Sequence, residues 1–355
     1  MLDESAVRDA LSDFSDPETG RGVAKLDQVK SVSVEGGAVK VSLGLTSWAS
    51  PLHEETAQRC QSRIKAKLPG ADSVEVSVVS HERAPDKLGQ IGQTIKSVIA
   101  VGSGKGGVGK STVAASLALT LSDYGAKVGL MDADVYGPSV PHLLGIDQRP
   151  TAVDNRLQPI EKDGLRVLSM GMMVPKEEAV IWRGPMLHGA VTQMLRDTDW
   201  GELDYLIIDM PPGTGDIALT LSQMLPLTGA VVVCTPQDVA LLDAVKAIAM
   251  FRKVNIPVLG VVENMSYFLC PDNGKRYDIF GHGGAKAKAA EMGVPFLGEA
   301  PIQIAIRERG DAGRTADNLT DEASAEVFRG VCQRMIRGVV DARAEAPPMP
   351  SLPTL

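Results

Sequence analysis

A glycine-rich loop restricts the fold of this chain more than any other stretch of its sequence. The loop, "GSGKGGVGKST", spans residues 102–112 and follows the apolar run "SVIAVG". It contains G-x-x-x-x-G-K-[ST], with Gly104 and Gly109 as its glycines, then Lys110 and Ser111. Glycines let backbone N–H groups close around phosphate oxygens, Lys110 neutralises the β/γ oxygens, and the Ser111 hydroxyl binds Mg²⁺. A flexible turn is the alternative, but the strand before the loop and the helix after it favour a nucleotide site.

The predicted contacts to ATP and Mg²⁺ come from the whole loop. They are Gly104, Lys105, Gly106, Gly107, Val108, Gly109, Lys110, Ser111 and Thr112.

Beyond the loop, short apolar runs alternate with segments of helical periodicity. The runs are "SVIAVG", "KVGLMD", "LRVLSM", "YLIIDM", "AVVVCT", "VLGVVEN" and "PFLGEA". Such continuous runs are typical of parallel strands that are buried on both faces of a sheet. The sequence therefore predicts an α/β fold of the P-loop NTPase class over residues 97–340, with a mostly parallel sheet flanked by helices.

Acidic residues lie where two of these strands end. Asp132 and Asp134 come at the end of one strand, and Asp209 closes another before a turn rich in proline and glycine. The carboxyl ends of strands in an open sheet form the edge where ligands bind. We expect Asp209 to hold a water on Mg²⁺ there. For any single one of the three, capping of the next turn is the alternative.

The first 82 residues predict a separate, small α/β domain. Residues 4–14 have one apolar helical face, two alternating runs flank Gly36 and Gly37 as a hairpin, and a second helix and a third strand follow. The polar residues 83–96 predict a linker. The Pro-rich end of the chain, within residues 341–355, predicts a disordered tail.

Charge and hydropathy argue against two kinds of partner. Lys and Arg number 36 against 44 Asp and Glu, a net charge of -8, whereas nucleic-acid binding needs clustered positive charge. No apolar run approaches the roughly 18 residues of a membrane span, and the N-terminus lacks the order of a signal peptide. Four widely spaced cysteines are not typical of a disulfide framework. We expect a cytoplasmic protein with reduced thiols and neither nucleic-acid nor membrane partners.

Lys105 stands second in the loop, beside Gly104. A lysine there is too close to the loop to cover the γ-phosphate of its own nucleotide easily. Across a dimer interface, such a lysine could reach the partner's nucleotide, as an arginine finger does. A solvated lysine is the alternative. The run Lys105–Ser111 resembles the deviant Walker A signature K-G-G-x-G-K-[ST], and the ATPases of that family form ATP sandwich dimers.

Longer stretches narrow the resemblance. "SGKGGVGKSTVAASLAL", "DADVYGPSVPHLLG", "IIDMPPGTGDIALTL" and "ENMSYFLCPDNG" followed by "IFGHGGA" resemble the Mrp/ApbC-type iron–sulfur cluster carriers over residues 95–340. "SDPETG" and the small N-terminal module are similar to the extra domain that many of those carriers have.

The resemblance implies a homodimeric, slow ATP hydrolase that binds an Fe–S cluster of the [4Fe–4S] type across the dimer and transfers it to apo client proteins, with Fe–S assembly factors as further partners. It implies that Asp132 binds Mg²⁺ through a water, that Asp134 orients the attacking water, and that Asn264 recognises the adenine edge. For Asn264, a turn-forming role is the alternative.

Two departures from the carrier pattern remove cysteines. The carriers have C-P-x-C after "ENMSYF", but this chain has Cys270 and then Asn273, so a symmetric dimer offers two thiolates where a [4Fe–4S] cluster takes four. In the N-terminal domain Ser50 stands where a cysteine is common. Cys270 is therefore either a cluster ligand in an incomplete set or a residue that packs in a turn. The alternative function is an ATP-switched regulatory or positioning dimer that binds a protein partner without a cluster.

The remaining cysteines do not complete the set. Cys60, Cys234 and Cys332 lie in apolar patterns, where a small buried residue is expected. Asp272 and His282 are near Cys270 in sequence, but no spacing favours either as a ligand.

Overall fold

The structure is a computed structural model that describes residues 2–89, 91–135, 137–173, 184–213 and 215–345. The chain forms two compact units, one of Met1–Arg83 with Ile336–Leu355 and the other of Ala84–Met335. The Pro-rich residues 346–355, predicted to be disordered, lie outside the described residues, whereas residues 341–345 belong to the last helix.

The first unit has the predicted order α-β-β-α-β. Its elements are α1 (Glu4–Ala10), β1 (Val29–Glu35), β2 (Ala38–Leu45), α2 (His53–Lys67) and β3 (Ser73–Ser80). A 3₁₀ turn, Ser47–Leu52, precedes α2. β1 and β2 pair antiparallel around Gly36 and Gly37, and β3 pairs parallel to β2 after the crossover through α2. The apolar faces of both helices pack on this three-stranded sheet, and they form a core that is separate from that of the second unit.

The second unit contains the remaining elements. In chain order they are β4 (Lys87–Leu88), β5 (Gln93–Gly102), α3 (Lys110–Asp123), β6 (Val128–Asp132), α4 (Val140–Leu143), β7 (Thr151–Val153), β8 (Arg156–Gln158), β9 (Ile160–Lys162), β10 (Leu165–Ser169), α5 (Met170–Met173), α6 (Gly184–Arg196), β11 (Leu203–Asp209), α7 (Gly215–Met224), β12 (Gly229–Cys234), α8 (Asp238–Lys253), β13 (Val258–Glu263), β14 (Phe268–Leu269), β15 (Arg276–Tyr277), α9 (Gly284–Glu291), β16 (Phe296–Glu299), α10 (Ile304–Asp311) and α11 (Glu322–Glu345). α11 continues from this unit into the first.

The large sheet of this unit is mostly parallel, as predicted. Its strand order is β16-β13-β12-β5-β11-β6-β10-β9, and only β9 and β4 pair antiparallel. Every residue of β6, β11 and β12 is buried, because helices cover both faces of these central strands. Asp209 on β11 pairs in register with Asp132 on β6 and with Val101 on β5. The predicted acids and the start of the glycine loop therefore meet at one edge of the sheet.

The segment predicted as a linker, residues 83–96, differs from expectation. It contains β4 and the first four residues of β5. The amide of Gln93 is buried and donates to the Leu195 carbonyl at 2.6 Å, so a polar residue starts a buried strand. Its polarity made this part of the strand resemble a linker.

Among the described residues, no helix is both long enough and apolar enough to span a membrane.

Candidate functional site

The glycine loop joins the end of β5 to the start of α3, where the motif predicts it. Gly109, the residue before α3, has φ 78° and ψ 24°, a left-handed conformation that favours glycine. At Gly104 a Cβ would lie 2.1 Å from the Asp243 carbonyl oxygen on α8, so only glycine fits against that helix. The loop bounds a cavity of about 540 Å³. The cavity is lined by Ser103, Lys105, Gly106, Gly107, Gly109, Lys110, Ser111, Thr112, Asp134, Gly137, Ser139, Leu143, Pro211 and Pro212.

Lys110 is the centre of the charged groups in this cavity. Its ammonium lies 2.5 Å from Asp209 Oδ1, 3.2 Å from the Ser111 hydroxyl and 3.8 Å from Asp134 Oδ2. The Lys110 and Asp209 side chains are 6% and 0% exposed, so the two opposite charges face each other with little access to water. The structure thus brings four of the predicted site residues into one cluster.

Asp209 retains one carboxylate oxygen for a further interaction. Its Oδ2 is buried and has no hydrogen-bond partner in the part of the chain that the structure describes. Burial raises the pKa of Asp209, although the Lys110 ammonium and the Ser111 hydroxyl act in the opposite direction. A carboxylate oxygen beside a serine hydroxyl suits Mg²⁺, which binds through few protein oxygens and keeps several waters. These two residues therefore fit the predicted ion.

Asp132 and Asp134 have different surroundings. Asp132 is fully buried, and its carboxylate accepts hydrogen bonds from the Asp134 N–H, the Val140 N–H and the Ser169 hydroxyl at 3.0, 3.2 and 2.9 Å. Burial and the nearby Asp209 charge raise the pKa of Asp132 to about 7. Asp134 instead lines the cavity, and its Oδ1 accepts from Gly137 N–H at 3.1 Å. Of the two acids, Asp134 is the one that lines the cavity.

Lys105 lines the same cavity and is half-buried. Its carbonyl oxygen accepts from the Ser103 hydroxyl at 2.9 Å, which shapes the loop backbone. Within the described residues its ammonium makes no hydrogen bond or ion pair. The charge is therefore available to a ligand or to a second copy of the chain.

Asn264, expected to meet the adenine edge, contacts the loop itself. Its side-chain N–H donates to the Val108 carbonyl at 2.8 Å, and its backbone N–H donates to the Cys234 carbonyl at 2.8 Å. The residue is 8% exposed. Adenine recognition by Asn264 stays a prediction, and the contact with Val108 is one that sequence reasoning did not foresee.

Cys270 lies on what we call the thiol hairpin, residues 268–277, formed by β14, a turn and β15. The Cys270 N–H donates to the Lys275 carbonyl at 3.0 Å, and the Asn273 side-chain oxygen accepts from the Lys275 N–H at 2.9 Å. Asn273, which replaces the second cysteine of the carrier pattern, therefore stabilises the turn.

The four cysteines differ in exposure. Cys60, Cys234 and Cys332 are at most 1% exposed, as their apolar surroundings predict, whereas Cys270 is partly exposed. Burial raises the pKa of Cys60 and of Cys234 to about 12, and it also raises the pKa of Cys332. Cys270 is thus the cysteine that can meet a reagent or a metal from outside.

Three ligand-type side chains meet beside the thiol hairpin. Atoms of Glu263, His282 and Glu299 lie within 4.8 Å of one another. The Arg276 guanidinium is already among them, 2.7 Å from His282 Nδ1 and 3.2 Å from Glu299 Oε2. The Arg276 guanidinium therefore takes the place that a metal cation would need among these three side chains. Its contact with Glu299 connects the thiol hairpin to the end of β16. Asp272 is exposed and takes no part in the group.

The glycine loop between a buried strand and its helix, with a lysine and strand-end acids around one cavity, defines a P-loop NTPase. Residues 94–336 match the family model described as NUBPL iron-transfer P-loop NTPase, and residues 4–78 match the one described as iron-sulfur cluster assembly protein. The chain belongs to the family of NUBPL iron-transfer P-loop NTPases.

Individual relatives agree with this assignment. An iron-sulfur cluster carrier protein of Deinococcus radiodurans is 47% identical over 353 residues, 99% of each chain. A solved nucleotide-binding protein of Archaeoglobus fulgidus, in complex with ADP, is 41% identical with a TM-score of 0.56, and the match covers 63% of this chain and 88% of that one. The cell division ATPase MinD of Pyrococcus furiosus, at 24% identity and a TM-score of 0.50 over 68% of this chain and 98% of its own, shows the fold alone. The resemblance inferred from sequence is confirmed.

Proposed function

We propose that this protein is a dimeric ATP hydrolase that carries an Fe–S cluster and transfers it to apo client proteins. The observation that carries the proposal is the position of Cys270. It is partly exposed whereas the other three cysteines are buried, and it lies shortly after Asn264, which touches the nucleotide loop. The names of the relatives support an Fe–S cluster as the cargo, since they describe iron-sulfur cluster carrier proteins.

The cavity suits ATP as the substrate. Backbone N–H groups of the loop and the N-terminal end of α3 favour phosphate, and Lys110 is placed to move from Asp209 to the β/γ oxygens. Ser111 and, through a water, Asp209 would hold Mg²⁺, with Asp132 behind them supporting the loop after β6. The ion would neutralise the charge of the phosphate oxygens.

Hydrolysis would use Asp134 and a second protomer. Asp134 faces the cavity, which supports a role for it in orienting the attacking water. Lys105 of each protomer would reach the γ-phosphate bound by its partner, so the site is complete only in the dimer. Slow turnover of a single chain follows, because each chain alone lacks one positive charge.

A transfer assay tests the proposal. The protein is reconstituted anaerobically with iron and sulfide, desalted and mixed with an apoferredoxin, and cluster formation in the recipient is followed by visible absorption. We expect faster filling than from the same iron and sulfide without the protein. Equal rates in both reactions would contradict the carrier function.

A second candidate is favoured by Asn273, whose side chain stabilises the hairpin turn but offers no thiolate. In this alternative the dimer is switched by ATP and binds a protein partner without a cluster. It predicts ATP-dependent dimerisation together with no iron above background after reconstitution.

The trans role of Lys105 yields a prediction for turnover. In Lys105→Ala we expect hydrolysis to fall roughly 100-fold or more, because one transition-state cation is lost, while ATP binding changes little. Asp134→Ala should also lose turnover more than binding. Turnover per chain in the parent should rise with protein concentration, and in Lys105→Ala it should not. Phosphate release across a dilution series measures this.

The matched control is Lys246→Ala, since Lys246 is a lysine on α8 whose side chain is 79% exposed. It should keep the parent rate. Parent-like turnover in both Lys105→Ala and Asp134→Ala would show that the trans mechanism is wrong for this chain.

A further inference from the structure

The turn that follows β13 is fastened to the nucleotide loop. We call residues 263–267 the linking turn, since they join β13 to the thiol hairpin. Asn264 donates its side-chain N–H to the Val108 carbonyl at 2.8 Å, although the two residues are 156 positions apart. A Cβ on Gly109 would lie 2.2 Å from Asn264 Nδ2 and 3.6 Å from Met265 Cε. The loop backbone and the linking turn are therefore in direct contact at the residue before α3.

Met265 holds an unusual backbone conformation in this turn. Its φ is 54°, in the left-handed region that is unfavourable for a residue with a side chain. Such a conformation persists when neighbouring contacts enforce it. Here the Ser266 N–H donates to the Ala300 carbonyl at 3.0 Å, and the Ser266 hydroxyl donates to Glu263 Oε1 at 2.7 Å.

Glu263 fixes the turn to a second element. The residue is fully buried, and its Oε2 accepts from the Ala285 N–H at 2.8 Å in the first turn of α9. Both carboxylate oxygens are thus engaged. The arrangement of the linking turn that satisfies these buried groups also presents Asn264 and Met265 to the loop.

The same turn anchors the thiol hairpin. The Tyr267 carbonyl accepts from the Ile302 N–H at 2.6 Å, and the Arg276 guanidinium lies 4.1 Å from the centre of the Tyr267 ring. Arg276 pairs with Leu269 in the hairpin ladder, one residue before Cys270. Because β14 and β15 have two residues each, the hairpin depends on this anchor for its order.

We infer that the linking turn couples nucleotide occupancy of the loop to the exposure of Cys270. A bound nucleotide fixes Val108 and Gly109, which in turn hold Asn264 and Met265. An opening of the hairpin that displaces the linking turn breaks these contacts, so such an opening becomes rarer when nucleotide is bound. Met265 and Ser266 are positioning residues in this scheme. The inference depends on the nucleotide-binding part of the proposed function and not on the cluster.

Native-state thiol labelling tests the coupling. Cys60, Cys234 and Cys332 are buried, so the rate of reaction of the folded protein with a maleimide reports Cys270, and Cys270→Ser supplies the background. ADP with Mg²⁺ is the ligand to use, because it lacks the γ-phosphate that a trans lysine would contact. We expect saturating ADP to slow labelling of the parent about fivefold, at the lower end of usual coupling energies.

Two variants remove the coupling by different means. Met265→Gly removes the thioether contact and the strain of a side chain at a left-handed backbone position, and Ser266→Ala removes the hydrogen bond to Glu263. In each variant, the factor by which ADP slows labelling of Cys270 should fall below about twofold. Binding of ADP to each variant is measured separately with a fluorescent ADP. The matched control is Asn255→Gly, which also replaces a residue of positive φ, 58°, in the turn after α8. It should keep the parent ratio.

Each result decides between the possibilities. The inference would be overturned if the parent is labelled as fast or faster with ADP than without it. It would also be overturned if both variants bind ADP and keep the parent's ratio of labelling rates without and with ADP. Failure of the parent to bind ADP would instead contradict the proposed function itself, and the fluorescence titration reveals that separately.

Discussion

Lys110→Met is expected to weaken ATP binding roughly 30- to 150-fold, because a charge-assisted contact to phosphate is worth about 2 to 3 kcal/mol. The methionine keeps the length of the side chain and removes the ammonium. Titration with a fluorescent ATP analogue in the presence of Mg²⁺ measures the change. Turnover should fall with it, since Lys110 also neutralises the oxygens on which charge accumulates.

The same substitution should destabilise the protein. Lys110 is the cation that faces the buried carboxylate of Asp209, at 2.5 Å. Removal of one partner of a buried pair costs about 3 to 5 kcal/mol, because the other charge is left uncompensated. The pKa of Asp209, which burial already raises, should rise further. Urea denaturation of the parent and the variant at one pH measures the cost.

The chain contains a matched control for this experiment. Lys96 and Asp204 form another buried pair, at 3.0 Å with side chains 8% and 3% exposed, and neither residue lines the cavity of the glycine loop. Lys96→Met should therefore lose stability and keep ATP affinity. If Lys110→Met binds ATP as the parent does, the assignment of the loop is wrong. If both variants lose affinity equally, the loss in Lys110→Met comes from instability.

Cys270→Ala is expected to reduce the iron retained after anaerobic reconstitution to background. Cys270 is the exposed cysteine, and the other three are buried in the cores of the two units. A two-fold axis would bring two copies of Cys270 together, and outside thiols would complete the ligand set of a cluster held in this way. Iron per dimer and the visible absorption band measure retention. The parent cluster should be lost readily on exposure to oxygen, because the protein supplies two thiolates where four are preferred.

Asn273→Cys should have the opposite effect on the cluster. It restores a thiolate on the hairpin, and it loses one hydrogen bond to the Lys275 N–H at an exposed turn, so the cost in stability is small. We expect more iron per dimer and slower loss in oxygen. The control is Cys60→Ala, which removes a buried thiol and should retain as much iron as the parent. Equal iron in the parent and Cys270→Ala would contradict the ligand role, and the regulatory dimer would then be the better account.

Much of the fold was predictable because its signals are local. The strands that end at Asp132, Asp209 and Cys234 are buried throughout and mostly apolar, which happens when helices cover both faces of a parallel sheet. The glycine loop is recognisable for a similar reason, since its backbone conformation demands glycine at fixed spacing. Gly109, with φ 78°, is an example.

The start of β5 was not predictable from the same signals. Residues 93–96 include polar side chains, and the partner of Gln93 is the Leu195 carbonyl, 102 positions further along the chain. In the sequence, a buried polar residue whose hydrogen-bond partner is distant along the chain looks the same as a polar residue in contact with water. The roles of Asp132 and Asp134 depended on the family resemblance for the same reason, because their spacing does not show which carboxylate faces the cavity.

The sequence by itself determined the class of the fold, the loop that meets phosphate, the strand ends that carry acids and the single thiol after β13. Each of these is a property of a short segment, set by backbone geometry or by apolar periodicity. The tertiary structure alone decided that Lys110 pairs with Asp209, that Asn264 holds the Val108 carbonyl, and that Cys270 is the exposed cysteine. These contacts join residues about 100 or more positions apart or depend on burial, and packing of the whole unit is what brings such groups together.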